Sequence, residues 1–198
     1  MPAGAAPATA GSAPIAHTAN LLGALALAVS DRCVRVAGEQ AGHAESEAAA
    51  LSAIDQFLDG STIDRLAAVI GLSQSGAVRL VDRLEGDGLV RRGPGDDRRV
   101  TSLSLTAEGR KAARDIETAR LRLLEDVLET LDATERDALD ALTGRLLVAM
   151  MRERGATRWT CRLCDLTACG RASGHCPVER AARAKYGTPE RSEGRPDP

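Results

Sequence analysis

Apolar residues recur every three or four positions through most of the chain, and this rhythm predicts helices. Thr18 to about Ala41 reads as an apolar-rich helix. A second runs from about Ala44 to Leu58, with Ala48, Leu51, Ile54 and Leu58 on one face and Gly60 as its stop. Leu66, Val69 and Ile70 form a short stripe between Ser61 and Gly71. Ser61, with Asp64 three residues on, has the form of a capping-box variant, and Gly71 suits the C-terminal end. Ser73 is placed to cap a further helix that turns Ala77, Val78, Val81 and Leu84 inward, stopped by Gly86 and Gly88.

The period then drops to two. Leu89 to Arg92 is a short strand, Gly93-Pro94-Gly95-Asp96-Asp97 a turn, and the alternation from Val100 to Leu105 the returning strand. Thr106 with Glu108 opens a long helix marked by Ile116, Ala119, Leu123, Val127 and Leu131. Thr134 is expected to cap the last long one, which carries Leu139, Leu142, Leu146 and Met150. From Gly155 onward the periodicity stops. The fold class is therefore mainly α with a small β-hairpin. The expected organisation is a disordered tail over 1–16, a helical domain over 17–155, a cysteine-bearing segment over 156–186 and a second disordered tail over 187–198.

Composition refines this picture in two places. Hydrophobic residues make up 43% of the 198 but aromatics only 2%, so the core must be built from Leu, Val and Ala. The net charge of −2 does not by itself point to nucleic acid. Its distribution is more telling: only Lys111 and Lys185 are lysines, so almost all positive charge is arginine, whose planar fork suits phosphate and guanine edges. Residues 21–29, LLGALALAV, have the apolarity of a signal-peptide core. No Lys or Arg precedes them, the first being Arg32, so the positive n-region is missing. No apolar run is long enough to cross a membrane. The expectation is a cytoplasmic protein with reduced thiols and no membrane partner.

Two short helices joined by a tight turn and followed by a hairpin make a winged helix-turn-helix. Its second helix enters the major groove, where base edges carry a full donor and acceptor code. The first turn of that helix supplies Ser73, Gln74, Ser75 and Gly76, and its outer face Arg79 and Arg83. Gln74 suits adenine, and Arg79 suits guanine or phosphate. The two serine hydroxyls and the helix N-terminus suit phosphate. Asp82 and Glu85 are expected to point away or to pair with Arg79 and Arg83. Arg98 and Arg99 follow Asp96 and Asp97 at the hairpin tip, where an arginine stiffened by an aspartate can enter a narrow minor groove.

At these residues the chain resembles the multiple-antibiotic-resistance regulator (MarR) family. The pieces are LAAVIGLS, VRLVDRLEGDGLVRR, DDRR and SLTAEG, in that order and spacing, within a likeness covering roughly residues 18–155. The resemblance implies a homodimer built from the first and last long helices. It implies binding to pseudo-palindromic double-stranded DNA, usually as a repressor relieved by a ligand. Its recognition-helix positions fall on Ser73, Gln74, Ser75, Gly76 and Arg79, and its wing arginine on Arg98. Pro94-Gly95 stands where the family often has Asp-Pro, so the wing is expected to be set differently. A small-molecule ligand between the dimer helices and the DNA-binding lobe has no support in these residues, where Phe57 is the only aromatic. The family also includes thiol-based peroxide sensors. Cys33, in the first helix among apolar neighbours, reads either as a small buried hydrophobe or as a redox-active thiol.

Beyond the family pattern, Cys161, Cys164, Cys169 and Cys176 lie within sixteen residues at C-x2-C-x4-C-x6-C spacing. Cys161 and Cys164 can chelate from one knuckle, and Gly170 and Gly174 let the backbone wrap closely. Four thiolates suit zinc or an iron–sulfur cluster rather than calcium or magnesium. Cys176-Pro177 resembles the end of a ferredoxin-type motif. Arg162 and Arg171 would offset the charge of the thiolates. His175 is an alternative ligand, although its neighbour Cys176 competes with it. A metal-free dithiol responding to peroxide remains the third option.

The expected function is a sequence-specific DNA-binding regulator whose binding is modulated by this centre, acting through the dimerising helix that precedes it. The alternative is an iron–sulfur or thiol redox protein in which the cysteines are the main activity. No phosphate loop or catalytic triad points to an enzyme. His17 and His43 read as helix-end or surface residues.

Overall fold

In the computed structural model the described residues are 14–41, 44–95, 101–151 and 160–187, with side chains beyond the backbone not described for 39–41. Seven helices and two strands lie within them. Helix α1 spans Ile15–Ala41, α2 Glu45–Ala53, α3 Ile63–Ile70 and α4 Gln74–Gly86. Strands β1 (Val90–Pro94) and β2 (Thr101–Leu105) form an antiparallel pair in which Val90 faces Leu105 and Arg92 faces Leu103. Helices α5 (Ala107–Leu128), α6 (Ala133–Met150) and α7 (Pro177–Tyr186) complete the chain. No helix among the described residues is long and apolar enough to cross a membrane.

Sequence and structure differ at several element ends, each for a local reason. Helix α1 starts at Ile15, inside the expected tail; the rest of that tail lies outside the described residues. The cap of α3 is Thr62, whose hydroxyl accepts from Arg65 N at 3.2 Å. Ser61 is used otherwise: its carbonyl accepts from Leu103 N at 2.8 Å, and Gly60 N donates to Leu103 O at 2.7 Å, so the chain here pairs with β2. Helix α6 is capped by Asp132 rather than Thr134. Asp132 Oδ1 accepts from Glu135 N and Glu135 Oε2 accepts from Asp132 N, both at 2.9 Å, a reciprocal capping box. The helix expected to run unbroken to Leu58 leaves α geometry at Ala53 and continues as a five-residue π turn, Ile54–Leu58. Helix α7 was not expected.

The main core is aliphatic, as the composition requires. Leu51, Ile54, Leu58, Leu66, Leu80, Val81, Leu84, Val90 and Leu103 are fully buried, drawn from α2, the π turn, α3, α4 and both strands. Helix α5 closes the core with Ala113 and Ile116, and α1 packs along α5. The join of wing to α5 is unusually close. Thr106 caps α5 through Gly109 N at 3.0 Å and donates to Gly88 O at 2.7 Å. A Cβ on Gly109 would stand 1.9 Å from the Leu89 carbonyl oxygen, so only glycine fits. A second, smaller core joins Met151 and Leu147 to Cys161, Cys176, Val178 and Ala182.

Two apolar faces find no cover within the described chain. Leu21, Leu22, Leu25 and Leu27 of α1 are exposed, and so are Leu139, Leu142, Leu146 and Met150 of α6.

Candidate nucleic-acid interface and cysteine cluster

Helix α4 presents its N-terminal turn to solvent. Ser73 is the N-cap and its oxygen accepts from Gly76 N at 3.2 Å, with the Ser75 hydroxyl 3.4 Å away. Gln74, Ser75 and Arg79 are exposed, while Ala77, Leu80, Val81 and Leu84 anchor the opposite face. Four of the residues proposed from sequence for base and phosphate contact, Ser73, Gln74, Ser75 and Arg79, are thus open to solvent. Arg83 is also exposed, but its Nε lies 3.4 Å from Glu47 Oε1 of α2. Arg98 and Arg99 lie outside the described residues.

The expected pairing of Asp82 and Glu85 with Arg79 and Arg83 is not what forms. Both acids instead hold Arg92 of β1. Its guanidinium contacts Asp82 Oδ1 at 2.6 Å and Glu85 Oε2, and its backbone N donates to Glu85 Oε1 at 3.3 Å. The hydrogen bond to Asp82, with Glu85 beside it, holds the guanidinium pKa above its ordinary value. Strand alternation explains the choice: Arg92 shares the inward face with Val90, Leu103 and Leu105 and so reaches α4.

Arg91 takes the outward face, opposite Ser104. Together with Gly93, Pro94 and Ser102 it lines a shallow groove on the wing. Arg91 is a candidate contact that sequence reasoning missed. The available signal was the strand period applied to the Arg91-Arg92 pair, which assigns one arginine to the helix and the other to solvent.

The four clustered cysteines come together although no regular strand or helix joins them. Cys161 and Cys176 are buried, Cys164 and Cys169 half-buried. Gly170 and Gly174 take positive φ, 62° and 76°, and the loop between them folds back so that His175 N donates to Gly170 O at 2.9 Å. The thiols meet as two contacting pairs, Cys161 with Cys164 and Cys169 with Cys176. The pairs also influence one another. Among the described residues no group of three or more His, Cys, Asp or Glu stands in metal-holding geometry. The four thiols therefore stand as two pairs and not as one metal-holding group.

Ionisation of these thiols is uneven. A hydrogen bond from Cys161, helped by the charges of Arg120 and Arg171, lowers Cys164 to about 7. The same bond raises Cys161, and burial adds to it. Burial, then contact with Cys176, pushes Cys169 up to about 12. Arg171 was foreseen in this role; Arg120, on α5, was not, because it lies forty-odd residues away in sequence.

Around the cluster, Cys176 is the N-cap of α7, its sulfur accepting from Glu179 N at 3.5 Å. Pro177 occupies the first helical position, where a missing N–H does no harm. The Cys-Pro step thus has a helix-starting role independent of any cluster type. Glu179 is buried between two arginines, Arg171 at 2.6 Å and Arg183 at 2.9 Å. His175 Nδ1 lies 2.7 Å from the Ser173 hydroxyl and its ring is exposed. Cys33 is half-buried on α1, in a different element from the four.

This segment touches both halves of the molecule. Against α6, Pro177 packs on Gly144, where a Cβ would come within 3.2 Å of the proline ring. Against the lobe that carries α4, Leu166 N donates to Gln56 Oε1 at 3.3 Å, and Gln56 Nε2 donates to Glu117 Oε1 at 2.9 Å. Burial, followed by the nearby carboxylates of Asp165 and Asp55, raises the Glu117 pKa.

Comparison with known proteins agrees with the geometry of the first site. Residues 44–99 match the model of the MarR family. The chain is 34% identical over 83 residues to the transcriptional repressor MprA of Escherichia coli strain K12, a match covering 41% of this chain and 47% of that protein. The chain thus spans about half the length of the curated relatives it matches. Among solved structures, a MarR family protein from Bacillus stearothermophilus superposes with a TM-score of 0.64 at 25% identity, over 70% of this chain and 96% of that one. A MepR variant of Staphylococcus aureus bound to an oligodeoxyribonucleotide superposes with a TM-score of 0.51 at 17% identity, over 68% and 98% respectively. These likenesses establish the winged helix-turn-helix fold.

Proposed function

We propose, from the MarR-family winged helix that residues 44–99 match, that this chain is a sequence-specific DNA-binding transcription regulator. The matched relatives are transcription regulators rather than enzymes. The observation that carries the reading is the open first turn of α4, with Gln74, Ser75 and Arg79 on one exposed face and a wing strand fixed beside it by Arg92. In this reading α4 lies in the major groove. Gln74 and Arg79 read base edges, the serine hydroxyls and the helix N-terminus hold phosphate, and Arg91 with the sequence's Arg98 and Arg99 serves the wing. The exposed apolar faces of α1 and α6 meet those of a second copy, which places two α4 helices on a pseudo-palindromic operator. Repression is the sign of regulation borne by the named relative MprA, and we extend it to this chain.

The cysteine segment is read as the input. Four thiols in a compact, partly buried knuckle are the donor set of structural zinc, and an iron–sulfur cluster is the alternative occupant. Binding would draw the two thiol pairs into one shell, and the binding free energy would become folding free energy of the segment.

Fluorescence anisotropy on DNA from upstream of the protein's own gene tests the DNA claim. Gln74→Ala and Arg79→Ala should each weaken binding by about 1–3 kcal/mol and relax preference at one base position. Arg91→Ala should weaken specific and random DNA alike and reduce the salt slope by about 1. Equal affinity of wild type for every sequence tried would rule out a sequence-specific regulator. Visible absorption of anaerobically purified protein separates the occupants: a broad brown band means a cluster, and a colourless protein with stoichiometric zinc means zinc.

A further inference from the structure

We infer that Gln56 is the joint through which the state of the cysteine segment reaches the DNA-binding lobe, an inference that rests on the zinc reading above. The sequence suggested a route through the dimerising helix. The hydrogen bonds point to a more direct one.

Gln56 uses both ends of its amide. Its oxygen takes the Leu166 N–H, and its nitrogen donates to Glu117 of α5. Leu166 lies between Cys164 and Cys169, and its own carbonyl accepts from Arg171 N at 3.1 Å. Arg171 then binds Glu179 of α7. Glu179 N in turn donates to Cys176 Sγ at 3.5 Å, so one series of contacts runs from that thiol to Gln56.

What lies on the other side of Gln56 gives the contact its leverage. The residue is the midpoint of the π turn Ile54–Leu58. A π turn holds one residue more than an α turn, is rare, and gathers at functional sites. Immediately after it, Gly60 and Ser61 pair with Leu103 of β2, and Thr62 caps α3. A shift at the π turn thus reaches the wing strand and the helix-turn-helix over a few residues. While zinc holds the knuckle, Leu166 stays on Gln56 and the turn keeps its register. When zinc leaves, the loop carrying Leu166 loosens, the amide is released, and the lobe samples more orientations. DNA binding then weakens, because the freedom must be given up again on the operator.

The test uses the full chain purified with its metal, with zinc content measured on every sample. Operator affinity is read with and without a zinc chelator, and again after zinc is restored. Wild type should lose about tenfold in affinity on zinc removal, within the usual range of coupling between two sites. Gln56→Ala and Gln56→Leu should keep their zinc yet shift by less than about twofold. Hydrogen exchange gives a readout that needs no variant: peptides carrying Leu166 and residues 54–58 should both exchange faster after zinc removal. A Gln56 variant with the full wild-type response overturns the inference, and so does unchanged exchange at 54–58. A protein purified without zinc overturns the metal reading itself, and the metal measurement shows this separately.

Discussion

Arg92 on the first wing strand and Asp82 on α4 meet at 2.6 Å, so the wing is tied to the helix it flanks. Glu85, one helical turn further along, holds the same guanidinium. The pairs are partly exposed, which limits their worth to about 1 kcal/mol each. Arg92→Ala should therefore lower thermal stability only slightly. Operator affinity should fall more, by about tenfold, because the wing is no longer placed. Equal small losses in both measurements would show that the clamp matters for stability alone.

Gly109 offers a sharper test of the frame. A methyl group there would overlap the Leu89 carbonyl oxygen, which is backbone and cannot swing away. Gly109→Ala should destabilise the fold by about 1–3 kcal/mol or more despite alanine's better helix propensity. Urea unfolding of the two proteins measures it, and an unchanged midpoint would contradict the contact.

Glu117 makes stability depend on pH. Burial raises its folded pKa above the ordinary 4.5, so the folded state holds this proton more tightly than the unfolded state. Its contribution favours folding at low pH and is lost as pH rises from the unfolded value through the folded one. Glu117→Gln removes the titration while leaving an amide oxygen to accept from Gln56. Melting temperatures from pH about 4 to about 7 should show the variant gaining on wild type as pH rises. A constant difference across that range would refute it.

The dimer claim can be put to sedimentation equilibrium. Leu25 of α1 and Leu142 of α6 are each about half exposed, at 52% and 54%. The double change Leu25→Asp and Leu142→Asp should leave the protein monomeric and lower its operator affinity by at least about a hundredfold. A variant that stays dimeric would place the contact elsewhere.

Gly144 governs how α7 sits on α6. Gly144→Leu forces the Pro177 ring away and should free the C-terminal segment. Limited proteolysis should cut the variant within residues 160–187 while sparing the winged helix, and zinc content should fall with it. Resistance equal to wild type would mean that the segment is held without this contact.

The aliphatic stripes of Leu51, Leu66, Val81 and Leu84 were legible in the sequence because each repeats with a helical period and each is buried. So were the hairpin and the open face of α4. What the sequence concealed were choices between equivalent local partners. Ser61 and Thr62 can both cap a helix, and the pairing of Ser61 with Leu103 decides between them. Asp82 and Glu85 can pair along their own helix, but Arg92 is delivered to them by strand alternation. The π turn has no compositional signature, and Gln56 has no pattern that would connect it to Leu166, 110 positions on. Residues 177–186 went unread as a helix because the buried face carries just two apolar residues, Val178 and Ala182, beside the charged Glu179.

In the proposed dimer, the uncovered leucines of α1 and α6 also make gene dosage a physical variable. By mass action, the population of paired chains falls with the square of chain concentration once the protein is dilute. Operator occupancy then changes more steeply than the amount of protein present. Halving the chain concentration, as in one cell division without new synthesis, would lower the paired population about fourfold in that dilute limit, with no chemical signal needed.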